Sequence, residues 1–222
     1  MYQIEGAIFD LDGTLVDSMG IWSEGLEFLL NRFFGVSRAE LDDEMSYKLD
    51  TAPLTISVPM LCEYFHSSVK PREIMDEMNR FLWNFYSREI ELKEGVLELL
   101  EHLKQLGVKM CVASASANDK VEAAMKHCGI DRYFEFLITC DDVKKSKEYT
   151  DVYDIALERL GTDADHTWIF EDAVIALRTA RRTAMHTVGI YDPEQKEQEE
   201  IRSLSDIYLA KGESHKKLIS FF

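Results

Sequence analysis

Apolar and polar residues follow two different rhythms in the part of the chain after residue 94. Over 96–103 the apolar residues recur every three or four positions, which predicts the buried face of a helix that ends near Gly107. The run 108–113 that follows is mostly apolar without a helical period, as in a buried strand. Such stretches then alternate, which predicts parallel strands, right-handed crossovers and helices on both faces of a sheet. The predicted strands are 7–9, 108–113, 136–139, 167–170, 186–190 and 207–209, and the predicted helices are 19–33, 71–86, 96–103, 117–127, 151–160, 174–183 and 194–202.

Residues 18–90 interrupt this alternation, because they carry helical segments and no convincing buried strand. The first strand therefore lies upstream of a helical block, and the other strands lie downstream of it. We predict an inserted helical domain at 18–90 and an α/β core formed by 1–17 and 91–222. Within the insert, Trp22 and Trp83 are predicted to be core residues, and a platform for substrate is the less favoured alternative.

The composition is that of a globular protein. The 222 residues can bury a substantial core, and 46% of them are apolar while 30% are charged. No apolar run approaches the roughly 18 residues that a membrane span needs, and the N-terminal stretch lacks the features of a secretory signal. The four cysteines show no CxxC spacing, which favours reduced thiols. We therefore expect a cytoplasmic protein, monomeric and without a membrane partner.

The formal net charge of −16 argues against a nucleic-acid partner, because such binding depends on Lys and Arg that neutralise phosphates. It does not exclude a small phosphorylated substrate. The charge of such a ligand is met locally by a metal ion, a lysine or backbone N–H groups, and not by the sum over the whole molecule. A small-molecule phosphate ester therefore stays open as the partner.

Two carboxylates, Asp10 and Asp12, directly follow the first predicted strand and precede Gly13. In an extended segment, a spacing of two residues turns both side chains the same way. Such a pair is suited to hold a hard cation, or to divide nucleophilic attack and proton transfer between its members. The same pattern also occurs in ordinary turns and in calcium loops. A calcium loop would need Gly and Glu at the positions of Leu15 and Ile21, so that alternative fails, whereas a plain turn stays open.

Further polar residues lie where other predicted elements meet. Ser114 and the pair Glu171 and Asp172 each come directly after a predicted strand, and Lys147 lies in a basic run ahead of a predicted helix. Taken singly, such residues are also typical of a turn, a helix cap and a solvated surface. Together with the two aspartates of the first motif, they resemble in order and spacing the four motifs of the haloacid dehalogenase-like hydrolases. The resemblance covers almost the whole chain and indicates the subgroup with an α-helical cap, which contains small-molecule phosphatases and β-phosphoglucomutase. It implies a Rossmann-like, doubly wound parallel sheet with the helical insert as the cap.

The resemblance also implies a role for each residue of the motifs. Asp10 would attack phosphorus to form an aspartyl-phosphate, while Asp12 would protonate the leaving oxygen and later activate water. Ser114 would hydrogen-bond the transferring phosphoryl group, and Lys147 would neutralise one of its oxygens. The implied cofactor is Mg²⁺, with ligands from the carboxylate of Asp10, the backbone carbonyl of Asp12, Asp172 and Glu171.

We predict a Mg²⁺-dependent phosphatase of small phosphorylated metabolites, and a sugar phosphomutase is the alternative within the same class. The run 114–118 is similar to the mutase version of this motif, in which Ser116 and Asn118 would grip a second phosphate. Against the mutase, Ala117 stands where it has a lysine and Trp22 stands where it has a histidine. An alternative of another class is a catalytically silent regulatory or binding protein on the same scaffold, although every catalytic side chain of the motifs is present. The predicted phosphate-binding or substrate-binding residues are Ser114, Ala115, Ser116, Asn118 and Lys147.

Two loops depart from the family pattern. After Lys147 the family usually has Pro-x-Pro-Asp, whereas 148–151 read Glu-Tyr-Thr-Asp, so we expect a looser loop. After Asp172 the family usually has a glycine within a few residues, whereas 173–176 contain none, so we expect the next helix to sit differently against the sheet. Neither change removes a catalytic atom.

Overall fold

The computed structural model describes residues 2–51 and 54–222, without the side chains at positions 47, 48, 50, 51, 54 and 55. The chain divides into two compact units. The larger unit comprises Met1–Met19 and Tyr86–Phe222, and the smaller unit comprises Gly20–Phe85. In chain order, the smaller unit is therefore an insertion after the first strand of the larger one. Among the described residues, no helix combines the length and the apolarity needed to cross a bilayer.

The larger unit is built on a parallel sheet of six strands among the described residues, in the spatial order 3-2-1-4-5-6. The strand that comes first in the chain lies in the middle and is apolar and buried along its whole length, as expected where both faces of a sheet are covered. This order is that of the doubly wound folds, and it confirms the predicted fold class. The strands are β1 Gly6–Phe9, β2 Lys109–Ser114, β3 Phe136–Thr139, β4 Thr167–Glu171, β5 His186–Ile190 and β6 Ile207–Leu209.

Most helices begin and end close to their predicted positions, but the last one begins later than the predicted 194–202. The reason is a turn at Asp192, whose carboxylate accepts a hydrogen bond from Glu194 N at 3.0 Å and whose carbonyl accepts one from Gln195 N at 3.2 Å. This turn uses the residues that the charge pattern assigns to the first helical turn. The helices are α1 Ile21–Phe34, α2 Asp43–Thr51, α3 Leu54–Tyr64, α4 Pro71–Arg88, α5 Val96–Gln105, α6 Asn118–His127, α7 Cys140–Val143, α8 Asp151–Leu160, α9 Val174–Ala180 and α10 Gln198–Leu204.

The core of the larger unit forms where helix α8 packs on the central strands. Its apolar face, with Tyr153 and Ala156, shares one buried cluster with Ile8 of β1 and Ile169 of β4. Burial of this kind contributes roughly 25 cal/mol for each Å² of apolar surface removed from water. The packing fixes the ends of β1 and β4 relative to the loop before α8, which carries Lys147.

The smaller unit consists of the helices α1 to α3 and most of α4, and it has its own apolar cluster. Leu26 and Leu30 of α1 pack with Met45 and Leu61. The prediction that Trp22 and Trp83 are core residues is wrong, since their side chains are 40% and 44% exposed. The physical reason is the helical period: the buried residues of α1 are Ile21, Gly25, Leu26, Leu29 and Leu30, and Trp22 lies beside that face.

Candidate active site

The carboxyl ends of the central strands bring the sequence motifs to one edge of the sheet. Asp10 follows β1, Ser114 ends β2, and Glu171 ends β4 with Asp172 directly after it. Because β1 pairs in parallel with both β2 and β4, these strand ends are neighbours. The strand order reverses between β1 and β4, and the crevice at such a reversal is where open α/β sheets usually bind ligands.

Lys147 joins the ends of β1 and β4. Its Nζ atom lies 2.5 Å from Asp10 Oδ1 and 2.5 Å from Glu171 Oε1, and all three side chains are buried. The second oxygen of Glu171 accepts hydrogen bonds from the backbone N–H groups of Asp172 and Ala173, at 2.9 and 3.2 Å. Charge-assisted bonds of this kind are the strong ones in proteins, so the orientation of Glu171 is well determined.

Asp172 is held by residues from two other segments. Its Oδ2 accepts from Gln195 Nε2 at 2.9 Å, and its Oδ1 accepts from Thr14 Oγ1 at 3.4 Å. Gly13 permits this close approach: it has a φ of 74°, and a Cβ atom there would lie 2.4 Å from Asp172 Oδ2. A side chain at position 13 would therefore be strained by its backbone and would clash with the carboxylate.

Three buried carboxylates, those of Asp10, Glu171 and Asp172, have oxygens within 4.8 Å of one another. Burial raises the pKa of Asp10 well above its usual value, although the charge of Lys147 opposes this. The charges of Glu171 and Asp172 raise the pKa further, each with a smaller effect than that of Lys147. Burial, followed by the charge of Glu171, raises the pKa of Asp172 to about 8. Burial works against the charged form of Lys147, but Asp10 and Glu171 outweigh it, so the pKa of the ammonium is raised.

This donor set fits a divalent cation. If all three carboxylates are ionised, they and the one ammonium leave a net charge of −2 in a buried space, which a divalent cation would neutralise. The carboxylate oxygens are the hard ligands that Mg²⁺ prefers. The four groups that the sequence places here as metal ligands or partners, Asp10, Lys147, Glu171 and Asp172, are thus brought together by the fold.

Asp12 is oriented by a separate set of hydroxyl groups. Its Oδ1 accepts from Ser18 Oγ at 2.6 Å and from Tyr86 OH at 2.5 Å, and its Oδ2 accepts from Ser116 Oγ at 2.7 Å. Burial, followed by the charge of Asp12, raises the pKa of the Tyr86 hydroxyl far above its usual value, so this group stays a donor. The carboxylate of Asp12 therefore lies outside the three-carboxylate cluster, and the Mg²⁺ ligand implied at this position is its backbone carbonyl.

The residues of the predicted phosphate-binding run after β2 have hydrogen-bond partners in different parts of the structure. Ser114 Oγ is buried and accepts from Ser116 N at 3.0 Å, and Ala115 is exposed. Ser116 faces Asp12, whereas the Asn118 amide donates to Asp142 Oδ1 at 2.9 Å. Ser114 and Ser116 are therefore connected with the strand ends, while Asn118 is oriented by an acidic side chain of α7.

The loop that carries Lys147 is anchored although it lacks both prolines. The guanidinium of Arg182 donates to the backbone carbonyl of Glu148 and, at 3.1 Å, to Thr179 Oγ1. Tyr149 N closes a turn onto Ser146 O at 3.1 Å. Contacts from a distant segment thus replace local backbone stiffness.

Several residues of the site escape sequence reasoning, namely Thr14, Ser18, Tyr86, Tyr153 and Gln195. Tyr86 falls in a predicted helix and Gln195 in a charge-rich segment, and neither position breaks the local pattern. The only signal was near Asp12 in the sequence, where Thr14 and Ser18 are hydroxyl residues beside two carboxylates.

Comparisons with known proteins agree on a single family. Residues 7–190 match the model of the haloacid dehalogenase-like hydrolases. The chain is 28% identical to validoxylamine A 7′-phosphate phosphatase of Streptomyces hygroscopicus, over 86% of each chain. It is 20% identical to the phosphorylated carbohydrates phosphatase of Thermotoga maritima, over 83% of this chain and 84% of that one. Among solved structures, β-phosphoglucomutase of Clostridium difficile superposes with a TM-score of 0.69 at 20% identity, over 97% of this chain and 93% of that one, and shows the same fold.

Proposed function

The chain belongs to the haloacid dehalogenase-like hydrolases, and we propose that it is a Mg²⁺-dependent phosphatase of small phosphorylated metabolites that acts through an aspartyl-phosphate on Asp10. The family match and the phosphatase relatives confirm the predicted enzyme class. The observation that supports the proposed mechanism is the buried arrangement of one lysine and three carboxylates at the reversal of strand order.

In the first proposed step, a carboxylate oxygen of Asp10 attacks phosphorus while the bond from phosphorus to the leaving oxygen breaks. Asp12 transfers a proton to that oxygen, so the product leaves as a neutral alcohol. Lys147 balances charge on the phosphoryl oxygens, and Ser114 orients them by a hydrogen bond. Phosphoryl transfer depends mainly on such positioning and charge stabilisation.

In the second proposed step, water attacks the phosphorus of the aspartyl-phosphate. Asp12, now a carboxylate, accepts the proton of the water. The bond between phosphorus and the Asp10 oxygen breaks, which releases inorganic phosphate and regenerates both carboxyl groups in their starting states. A single residue acts first as acid and then as base, as a two-step displacement requires.

The carboxylates of Asp10 and Asp172 and the backbone carbonyl of Asp12 would hold Mg²⁺, with Glu171 as a further ligand or as the partner of Lys147. When bound, the ion supplies positive charge to the phosphoryl oxygens and to the buried carboxylates. With all three carboxylates ionised beside Lys147, a net charge of −2 would remain, and this supports a divalent ion at this position.

The mutase alternative is weakened by the run after β2. A mutase must hold a second phosphate, yet the Asn118 amide donates to the carboxylate of Asp142 at 2.9 Å, and position 117 is alanine. An acidic side chain on the residue that would grip a phosphate repels that phosphate. The silent-scaffold alternative is weakened because Asp10, Asp12, Lys147 and Asp172 are all present.

The test is hydrolysis of p-nitrophenyl phosphate with Mg²⁺, with and without EDTA, by the natural protein and by Asp10→Asn. We expect activity that chelation abolishes and that Asp10→Asn lacks, because an amide is not a nucleophile for phosphorus. Asp165→Asn is the matched control, since Asp165 is exposed and precedes β4 at the opposite edge of the sheet. Full activity in Asp10→Asn would refute the assigned nucleophile. Phosphate release from a panel of sugar phosphates and nucleotides then identifies the substrate.

A further inference from the structure

We propose that Tyr86 is a positioning residue, which fixes the carboxylate of Asp12 for proton transfer to and from the substrate oxygens. This inference rests on the proposed function. It adds to that function a residue that none of the four motifs contains and that lies 74 positions from the aspartate it contacts.

The contact is short and enclosed. The Tyr86 hydroxyl donates to Asp12 Oδ1 at 2.5 Å, and the Tyr86 side chain has no exposed surface. Ser18 donates to the same oxygen, and Ser116 donates to the other one. A carboxylate held through both oxygens from three directions has little freedom to rotate about its side-chain bonds. A buried phenol also needs a partner, because an unsatisfied hydroxyl costs free energy.

The backbone brings Tyr86 to this position through a pairing of two segments of the larger unit. Asp17 N donates to Glu91 O at 3.0 Å, and Lys93 N donates to Leu15 O at 3.0 Å. Between these bonds, Val16 and Leu92 form an isolated antiparallel bridge. The chain therefore returns from α4 alongside the loop that carries Asp12, and Tyr86, in the last turn of α4, lies just before this return.

The chemistry gives Tyr86 a role that depends on the leaving group. As the bond from phosphorus to an alkoxide-like oxygen breaks, that oxygen gains the electron pair and needs the proton of Asp12 to leave as an alcohol. A p-nitrophenolate ion is stable enough to leave without this proton. A misplaced Asp12 therefore slows the hydrolysis of esters with basic leaving groups more than that of p-nitrophenyl phosphate.

The experiment compares kcat/KM for p-nitrophenyl phosphate, phenyl phosphate and glucose 6-phosphate in the natural protein and in Tyr86→Phe. This change removes one oxygen and keeps the ring that fills the site. In the variant, we expect kcat/KM for phenyl phosphate and for glucose 6-phosphate to fall about tenfold relative to kcat/KM for p-nitrophenyl phosphate. A general acid contributes roughly a hundredfold or more to the rate, and the variant should lose part of this contribution. Circular dichroism and urea unfolding test whether the variant is folded.

Tyr133→Phe is the matched control. Tyr133 is also a buried tyrosine of the larger unit, and its hydroxyl donates to a carboxylate, that of Glu101, at 2.9 Å. The same chemical change is made there at a hydroxyl bonded to helix α5, outside the four motifs, and we expect the ratio to stay constant.

The outcomes separate this inference from the proposed function. If the natural protein hydrolyses no phosphate ester, or if Asp10→Asn remains active, the proposed function fails. If the natural protein is active but the ratio is unchanged in Tyr86→Phe, or falls equally in Tyr133→Phe, only the role of Tyr86 is overturned. A Tyr86→Phe protein that does not fold overturns it as well, because the hydroxyl would then act on stability.

Discussion

Lys147 Nζ lies 2.5 Å from Asp10 Oδ1, although the two residues are 137 positions apart in the chain. The same nitrogen lies 2.5 Å from Glu171 Oε1, so one ammonium group joins the ends of two neighbouring strands. Because the contact is buried, it affects the stability of the fold: a charge that loses its partner inside a protein still pays the free-energy cost of its desolvation.

Replacing Lys147 with Gln is expected to lower both activity and stability. Loss of the ammonium leaves buried carboxylates without their counter-charge, which costs about 3–5 kcal/mol for a broken buried pair. Loss of a preorganised charge opposite the phosphoryl group costs roughly a hundredfold or more in rate. Urea unfolding in EDTA and the rate with p-nitrophenyl phosphate measure the two effects.

The control for this change is Lys126→Gln, which breaks the exposed pair between Lys126 and Glu122, 3.1 Å apart in α6. Exposed pairs contribute about 0–1 kcal/mol, so we expect little change in either measurement. Equal losses in the two variants would contradict the buried role of Lys147.

Replacing Gln195 with Leu is expected to weaken Mg²⁺ binding about tenfold, the lower end of the effect of residues that orient metal ligands. The reason is the 2.9 Å hydrogen bond from Gln195 Nε2 to Asp172 Oδ2, which orients the proposed ligand. Titration calorimetry measures the affinity without a substrate. Gln105→Leu, which removes an exposed amide bonded to Glu101, is the matched control. An unchanged Mg²⁺ affinity in Gln195→Leu would show that Asp172 needs no such support.

β-Glucose 1-phosphate, if it is accepted as a substrate, is expected to yield inorganic phosphate and glucose. By the resemblance, Asn118 is a residue that would hold a mutase's second phosphate, and its pairing with Asp142 puts a carboxylate beside it. Phosphorus NMR distinguishes the products in one sample, with and without added glucose 1,6-bisphosphate. Accumulation of glucose 6-phosphate would favour the mutase alternative.

His215 is expected to make the protein sensitive to acid. Burial, with a smaller effect of the Lys93 charge, lowers the pKa of His215 to about 4. Below about pH 6.5 the His215 imidazole binds a proton in the unfolded chain but stays neutral in the folded protein. The free energy of unfolding therefore falls as the pH drops towards 4. Between pH 7.5 and 5 this loss is about 2 kcal/mol, at 1.36 kcal/mol for each pH unit below 6.5.

Urea unfolding of the natural protein and of His215→Gln at pH 7.5 and 5, both in EDTA, measures this effect. The glutamine keeps an amide donor and does not titrate, so the stability of the natural protein relative to the variant should decline by about 2 kcal/mol at the lower pH. His127→Gln, on the exposed surface of α6, is the control. A relative stability that is the same at both pH values would show that His215 is not the group responsible.

The elements of the larger unit could be predicted because their signals are local. The apolar runs that become β1 to β6 stand out in the sequence, and helix α8 was predicted with the bounds that the structure has, Asp151–Leu160. Helix α10 begins later than the sequence predicts, because the side chain of Asp192 stabilises a turn that competes with the first helical turn. Trp22 was misjudged because its apolarity says nothing about which face of α1 it occupies.

The sequence by itself determined the strands, their parallel arrangement and the carboxylates that follow Phe9 and Phe170, because apolar runs and strand-end polar residues are adjacent in the chain. Only the tertiary structure decided which donor meets which carboxylate oxygen: Lys147 on Asp10, Gln195 on Asp172, and Tyr86 on Asp12. Hydrogen bonds form only within a few tenths of an ångström of their preferred length and within a narrow range of angles. Such geometry depends on how elements distant in the chain pack together, and no periodicity in the sequence encodes it.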